Sequence, residues 1–384
     1  MTKSFDAIKI VDFTTTIAGP HCTRLFADLG AEVIKIETPE GDMMRTRPPM
    51  RGGASAMFGQ LNCGKKSVVL DLKSEIGRDA LYRIIADADV VVENYRPGVT
   101  KRLGIDYASL AATRPDLIYC SVSGYGQTGP SAKLAAYAPV IHAASGYDLA
   151  HMSYQPGRER PDYCGIYIAD VLAGTYAFGA IASAIVQRKD TGEGQHIDVS
   201  MLESMLSLTL LEMQEAQFEM PPRPSRPLFG PVETLDGYIN IAVASERTFD
   251  ALAKAAGRLD WFEDPRFKEY NDRRANWGAL MDEFEAWSRT VTNEQCLATL
   301  AEHGVPAAAY RTVREAMADP QLAHREAFVT VEDAGGAFQA LNPPFRMSRT
   351  VAAAGARVPG LGEHTQEILA RSGMSEQDIR AAMG

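Results

Sequence analysis

The apolar positions change period early in the chain. Ile8, Ile10, Val11 and Phe13 make a short apolar run, followed by threonines and Ala18-Gly19-Pro20. A helical pattern then leads to Leu29-Gly30, after which Ala31-Glu32-Val33-Ile34-Lys35-Ile36 again reads as a strand. Pro20 suits a first helical position and Gly30 a helix end. Strand, helix and strand at this spacing form a βαβ unit, whose right-handed crossover builds a parallel sheet. The same alternation predicts strands from Ser67 to Leu72, Asp89 to Glu93 and Leu117 to Val122, with an amphipathic helix from Ile76 to Ala86. This pattern defines an α/β domain.

From Ile168 to Arg188 the pattern predicts a helix crowded with small residues, among them Ala173, Gly174, Ala177 and Gly179. Gly192 and Gly194 turn the chain into the strand His196-Ile197-Asp198-Val199, and Met201 to Phe218 reads as one long apolar helix. Four prolines between Pro221 and Pro227 then exclude regular structure and mark a linker. Beyond it a strand is predicted from Gly237 to Val243, with helices from Glu246 to Ala256, near Arg273 to Arg289, and from Asn293 to His303. The tail from about Arg325 carries strand-like pieces, a break at Asn342-Pro343-Pro344 and a final helix. The expected division is a large domain over residues 1–220 and 325–384, a linker over 221–236 and a small domain over 237–324.

Composition narrows the function. With 384 residues and 46% hydrophobic side chains the chain can bury a substantial core without staples. Its five cysteines are widely separated and show no CxxC spacing, which argues against a disulfide framework or a zinc site. The formal net charge of -10 argues against general affinity for nucleic acid. No run of about 18 apolar residues and no signal-like start is found, so a cytoplasmic protein without a membrane partner is expected.

Asp170 is the most informative carboxylate. At the start of the Ile168 helix it reads locally as an N-cap. The same position would hold a carboxylate ionised by hydrogen bonds and the helix dipole, amid apolar neighbours, where it could attack a thioester or accept a proton. The turn Gly124-Tyr125-Gly126-Gln127-Thr128-Gly129-Pro130 follows a predicted strand, at the sheet end where open parallel sheets bind ligands. It has neither Rossmann nor Walker spacing, which excludes nicotinamide dehydrogenase and kinase readings. Lys65-Lys66, Arg96 and Lys101-Arg102 are basic groups near strand ends, either solvated or placed to receive phosphates. His142 lies in an apolar context, where a histidine is more often a hydrogen-bonded core residue than a catalyst.

Several segments in order resemble the class III CoA-transferase family, the group of formyl-CoA transferase, carnitine CoA-transferase and α-methylacyl-CoA racemase. They are Ile10-Val11-Asp12-Phe13 with Ala18-Gly19-Pro20, Ala31 to Glu37, Lys65-Lys66-Ser67 leading to Leu70-Asp71-Leu72-Lys73, and Val92-Glu93-Asn94-Tyr95-Arg96-Pro97-Gly98. Gly124 to Pro130, Gly192-Glu193-Gly194-Gln195 and Leu361-Gly362-Glu363-His364-Thr365 complete the series across nearly the whole chain. The resemblance implies a doubly wound, Rossmann-like large domain built from both chain ends, a smaller α/β domain, and a homodimer of interlocked rings. It places Asp170 at the family's catalytic aspartate, loaded first as a mixed anhydride and then as an aspartyl-CoA thioester, with Gly126 offering an N–H to the developing oxyanion. Coenzyme A, as acyl-CoA substrate, would be held by Asn94, Arg96, Arg102, Lys66, Ile17, Ala18 and Tyr125, and no metal or redox cofactor is implied.

Departures sharpen these expectations. Racemase members carry a histidine where this chain has Tyr137, a poor base near neutrality, so transfer is favoured over racemisation. A racemase or epimerase acting at the α-carbon and a non-catalytic CoA-binding protein remain the alternatives. Formyl-CoA transferases carry a glutamine at Ile17 and a glycine-run lid not found between Pro221 and Gly237, so specificity for oxalate and formate is not expected. Tyr137, His142, His151, Tyr154 and Arg158 are either ordinary loop residues or a setting for a second carboxylate, such as that of succinate.

Overall fold

The structure, a computed structural model, describes residues 3–155, 157–219 and 229–384. They fall into two compact units, one comprising Met1–Asp148, Tyr163–Leu210 and Pro320–Gly384 and the other Leu149–Asp162 and Leu211–Asp319. The proline-rich segment Pro221 to Pro227 lies outside the described residues.

The first unit is built on six strands, β1 (Lys9–Asp12), β2 (Glu32–Glu37), β3 (Lys66–Val69), β4 (Val90–Glu93), β5 (Ile118–Ser123) and β6 (His196–Ser200), in the order β3-β2-β1-β4-β5-β6. Every neighbouring pair is parallel, with Val11 opposite Ile34 and Val91, and Ser121 opposite Glu93 and Asp198. The central strands β4 and β5 read as nearly continuous runs because both faces of the sheet are covered there. On one face Ile10, Val33, Val92, Ile118, Cys120 and Val122 meet helices α1 (Ala18–Asp28) and, further along the chain, Ala169, Ala173, Ala177 and Ile181. On the other, Val11, Ile34, Val68, Val91 and Tyr119 meet α2 (Glu75–Ala86) and two helices from the chain end. Those last helices, Thr365–Arg371 and Glu376–Met383, bring the chain's end back to the sheet that its beginning opens.

Two further helices position the site, α3 (Ala138–Ala144) and α4 (Ile168–Thr191). Gly192, at φ 74°, ends α4 in the left-handed conformation glycine supplies without a Cβ penalty. The apolar-run criterion passed over α4, yet by length and composition it is apolar enough to cross a membrane. Small residues such as Gly174, Ala177 and Ala180 dilute its hydropathy without charge, and its buried side belongs to the core of the first unit.

The expected long helix from Met201 to Phe218 is not formed. Met201–Leu206 and Leu210–Glu215 are separate helices. Ser207 and Thr209 donate their hydroxyls to the carbonyls of Ser204 and Leu206, a local alternative to the helical ladder that apolar periodicity does not reveal. The second unit holds an antiparallel sheet in which Tyr238–Ile241 lies between Pro231–Glu233 and Ala307–Ala309. Helices Glu246–Ala255, Trp277–Ser288 and Asn293–Glu302 close its core around Trp261, Phe249, Phe267 and Phe284.

Candidate active site

Asp170 is the third residue of α4, not its cap. Tyr167 holds the N-cap position and makes no side-chain capping bond. The Asp170 carboxylate instead faces the neighbouring helix, where the backbone N–H of Ala18, the first residue of α1, favours its charged form. Burial raises its pKa to about 6 against the lowering effect of that N–H. Loss of water thus outweighs hydrogen bonding at this carboxylate. Such a group is mostly ionised at pH 7 and more nucleophilic than an ordinary carboxylate, since its charge is poorly hydrated.

The approach of α1 to α4 depends on the small residues seen in the sequence. A Cβ placed on Gly174 would lie 2.4 Å from the Ala18 carbonyl oxygen and 3.1 Å from Cδ2 of His21. Gly174→Ala is expected to force α1 away from Asp170, lowering stability by about 1–3 kcal/mol and slowing turnover. Melting curves and steady-state kinetics would check this, and a variant as stable and active as the parent would refute it.

The turn before Ala18 is held from three strands. Asp12 Oδ1 accepts the Thr14 N–H at 2.8 Å, and Lys35 Nζ donates to the Thr14 carbonyl at 2.7 Å. Asn94, just beyond β4, accepts the Thr15 N–H at 2.9 Å and donates to the Thr15 carbonyl at 2.8 Å. Its amide, assigned from sequence to the coenzyme, is thus spent on this turn at both ends. Ile17 is buried at the N-cap of α1. Behind the turn, Lys65 bonds Asp12 at 3.0 Å, Asn62 at 2.9 Å and the Pro20 carbonyl at 3.1 Å.

The glycine turn leaves β5 with Gly126 at φ 86°, and the next N–H, that of Gln127, is accepted by Asp198 of β6 at 2.9 Å. Tyr125 is half-buried against the core. Below it, the Glu93 carboxyl is buried and accepts the Tyr95 N–H at 2.8 Å, with its pKa pushed up to about 7 by burial. On α3, His142 is buried and its Nε2 accepts the Ala169 N–H at 3.2 Å, one residue from Asp170. The neutral ring then carries its proton on Nδ1, which has no hydrogen-bond partner among the described residues. Burial lowers the His142 pKa, in keeping with a neutral ring. Ser123 Oγ and Gln127 Nε2 are likewise buried without a partner among the described residues. Polar groups in that condition are what a polar ligand or water would satisfy.

Other candidates are placed differently. Tyr137 is 62% exposed at the N-cap of α3. Arg96 and Arg102 are exposed and make no ion pair among the described residues. Lys66 is not free to receive a phosphate: its ammonium pairs with Glu367 at 2.7 Å and Glu32 at 3.0 Å. Its neighbour Lys65, just before β3, turns inward to Asp12. His151, Tyr154 and Arg158 belong to the second unit, where Tyr154 donates to Glu212 and Arg158 lies 3.3 Å from Asp162. Asp12, Lys35 and Asp198 were not singled out from sequence. A charge inside an apolar parallel strand was the available signal, because such a group is buried only with partners.

This fold and these segments define an acyl-CoA enzyme class: the chain belongs to CoA-transferase family III, whose model matches residues 5–365. It is 37% identical to the acetyl-CoA:oxalate CoA-transferase of Acetobacter aceti over 347 residues, covering 88% of each chain. It is 31% identical to the succinate–glutarate CoA-transferase of Agrobacterium fabrum over 381 residues, covering 94% of each. Among solved structures it resembles a CaiB/BaiF family protein from Brucella suis, with a TM-score of 0.84 and 34% identity over 97% of this chain and 100% of that one.

Proposed function

We propose that this protein moves coenzyme A between an acyl-CoA thioester and a free carboxylic acid, with a dicarboxylate as donor or acceptor, and that Asp170 is the group covalently loaded. The observation that carries this reading is the buried Asp170 carboxylate in the first turn of α4, packed toward the start of α1, in a CoA-transferase family chain. Relatives named for oxalate, succinate and glutarate support the dicarboxylate.

The Asp170 carboxylate attacks the donor carbonyl, the C–S bond breaks, and a mixed anhydride and CoA thiolate result. The thiolate then attacks the aspartyl carbonyl, releasing the donor carboxylate and leaving an aspartyl-CoA thioester. The acceptor carboxylate attacks that thioester and expels the thiolate, which takes the acceptor acyl group and restores Asp170. One hard exchange becomes a series of easier ones. The Gly126 N–H is assigned to the oxyanion of the tetrahedral stages. Exposed Arg96 and Arg102 are assigned to the coenzyme's phosphates. His142 argues against racemisation, since its Nε2 lone pair is already used by the Ala169 N–H.

The reading extends to the assembly. We assign a doubly wound large domain built from both chain ends, a smaller α/β domain between them and a cytoplasmic homodimer of interlocked rings. Exposed apolar side chains on and around α4, including Ile166, Val171, Tyr176, Val186 and Leu210, support a covering partner subunit.

Mass spectrometry tests the reading directly. The protein and Asp170→Ala would be incubated with oxalyl-, succinyl- and glutaryl-CoA plus free acids in deuterated water. New CoA esters, with a hydroxylamine-sensitive adduct on the Asp170 peptide that the variant lacks, are expected. Deuterium at the α-carbon without a new ester would point to a racemase, and neither signal to a binding protein.

A further inference from the structure

The turn Thr14 to Ile17 carries more restraint than joining a strand to a helix requires. Thr16 sits at φ 69°, a left-handed conformation that a β-branched residue adopts only at a cost. Such backbone persists where surrounding contacts over-determine it, and it clusters at functional sites. Here the two preceding residues are gripped by Asp12 from β1, Lys35 from β2 and Asn94 from beyond β4.

Lys35 is the unexpected member. It stands between Ile34 and Ile36 in a strand otherwise committed to the core, and its side chain is 1% exposed. An aliphatic residue there would serve packing without desolvating a charge. The ammonium is instead buried against Asp42 at 2.8 Å and turned onto the Thr14 carbonyl at 2.7 Å. Thr14 is four residues from Ala18, the first residue of α1, whose carbonyl lies against Gly174 of α4, four residues from Asp170.

We propose that Lys35 is a positioning residue for the acyl exchange: through the Thr14 carbonyl it fixes the left-handed turn at Thr16, and so sets the start of α1 against the α4 end that carries Asp170. This rests on the reading of Asp170 as the loaded carboxylate. Lys35 touches neither that carboxylate nor the substrate. It removes the turn's freedom before the substrate arrives, so that Asp170 keeps one orientation as its charge passes to the acyl group and back. Misplacement of a reacting group by about 1 Å is worth on the order of 100-fold in rate, so a small relaxation of the turn would be felt in the chemical step.

Lys35→Met alone would strand the Asp42 carboxylate in the interior, so the informative variant is Lys35→Met/Asp42→Asn. It removes both charges together and keeps an oxygen to accept the Met44 N–H that Asp42 now caps. Circular dichroism and melting should show a folded protein. Steady-state transfer from succinyl-CoA should show kcat reduced about tenfold or more with KM for the thioester changed by less than about threefold. Single-turnover labelling of the Asp170 peptide should slow by the same factor. A folded double variant with kcat within about twofold of the parent would overturn the assignment. So would a loss confined to KM, or a variant that no longer folds, since the lysine would then serve binding or the fold alone. Asp170→Asn, assayed alongside, separates the two ideas: if it retains transfer, the nucleophile assignment fails whatever the double variant does.

Discussion

Asp170→Asn is expected to abolish CoA transfer and, at the same time, to make the protein more stable above pH 6. The first effect follows from removing the nucleophile, a loss on the order of 10⁴-fold or more when no other group can form the covalent intermediate. The second follows from the direction of the pKa shift. Burial raises the Asp170 pKa from 3.8 to about 6. Between those values the folded protein binds a proton that the unfolded chain has lost, so stability falls as pH rises through this window. Above it the folded state carries the full cost of a buried charge, up to about 3 kcal/mol for a shift of about two units. Asparagine keeps the shape and an oxygen for the Ala18 N–H but has no charge to bury. The variant should therefore melt higher than the parent at pH 8, with the difference shrinking through pH 5 and gone below about pH 4. Paired melting curves across that range check it. A variant that melts lower than the parent at pH 8 would show that the carboxylate is stabilised in the fold and would remove burial as the source of its reactivity.

A gain in stability on losing a functional group marks a site whose chemistry opposes folding. That conflict explains which parts of the site were legible in the sequence. Asp170 stood out because a carboxylate at the head of an alanine-rich helix is a local contrast, and the segments around it fell in the order of a known family. Its partner was not legible. Local reasoning supplied the N–H groups of its own helix, whereas the backbone that favours its charge is that of Ala18, which lies far away in sequence. Which helix end meets which is a property of the sheet order, and α1 and α4 come together through Gly174 only once the strands between them are arranged.

Elsewhere the same distinction holds. The parallel strands were readable from short apolar runs with turn residues at their ends, because both faces are buried and nearly every position must be apolar. The single helix expected from Met201 to Phe218 failed where two hydroxyls compete for backbone carbonyls, an effect without apolar periodicity. The basic pair Lys65-Lys66 was treated as one feature, although Lys66 opens β3 and Lys65 lies just before it. Lys66 reaches surface carboxylates and Lys65 enters the core, so one of the two had to be something other than a phosphate ligand. Asn94 belonged to a motif associated with the coenzyme, and a motif does not say whether its amide faces a ligand or a loop. Here it holds Thr15.

The inward lysine leads to the other large effect. Lys65→Met is expected to destabilise the protein by about 3–5 kcal/mol, the usual cost of removing one partner from a buried ion pair. Its ammonium is fully buried and its bonds go to Asp12, Asn62 and the Pro20 carbonyl, so the variant leaves three acceptors short at once. The two charges respond unequally to their setting. Burial works against Asp12, but Lys65, Lys35 and the hydroxyls of Thr14 and Thr23 bring its pKa down to about 2. Lys65 loses water and has Lys35 nearby, and burial outweighs the attraction of Asp12, so its own pKa falls. The pair consequently stabilises the fold through the carboxylate. With a folded pKa near 2 against 3.8 unfolded, that contribution is present above about pH 4 and is lost as pH falls toward 2. Lys65→Met should weaken this acid dependence, because Asp12 loses its strongest cation, and Lys65→Met/Asp12→Leu should regain part of the lost stability by leaving no charge unpaired. Activity should not return with it. Leucine cannot accept the Thr14 N–H, and the turn that presents Ala18 to Asp170 would lose the hold that Asp12 supplies. Chemical denaturation at pH 7 and at about pH 2, together with transfer rates for the single and double variants, measures both halves. Equal recovery of stability and rate would mean that the buried charges serve only the fold.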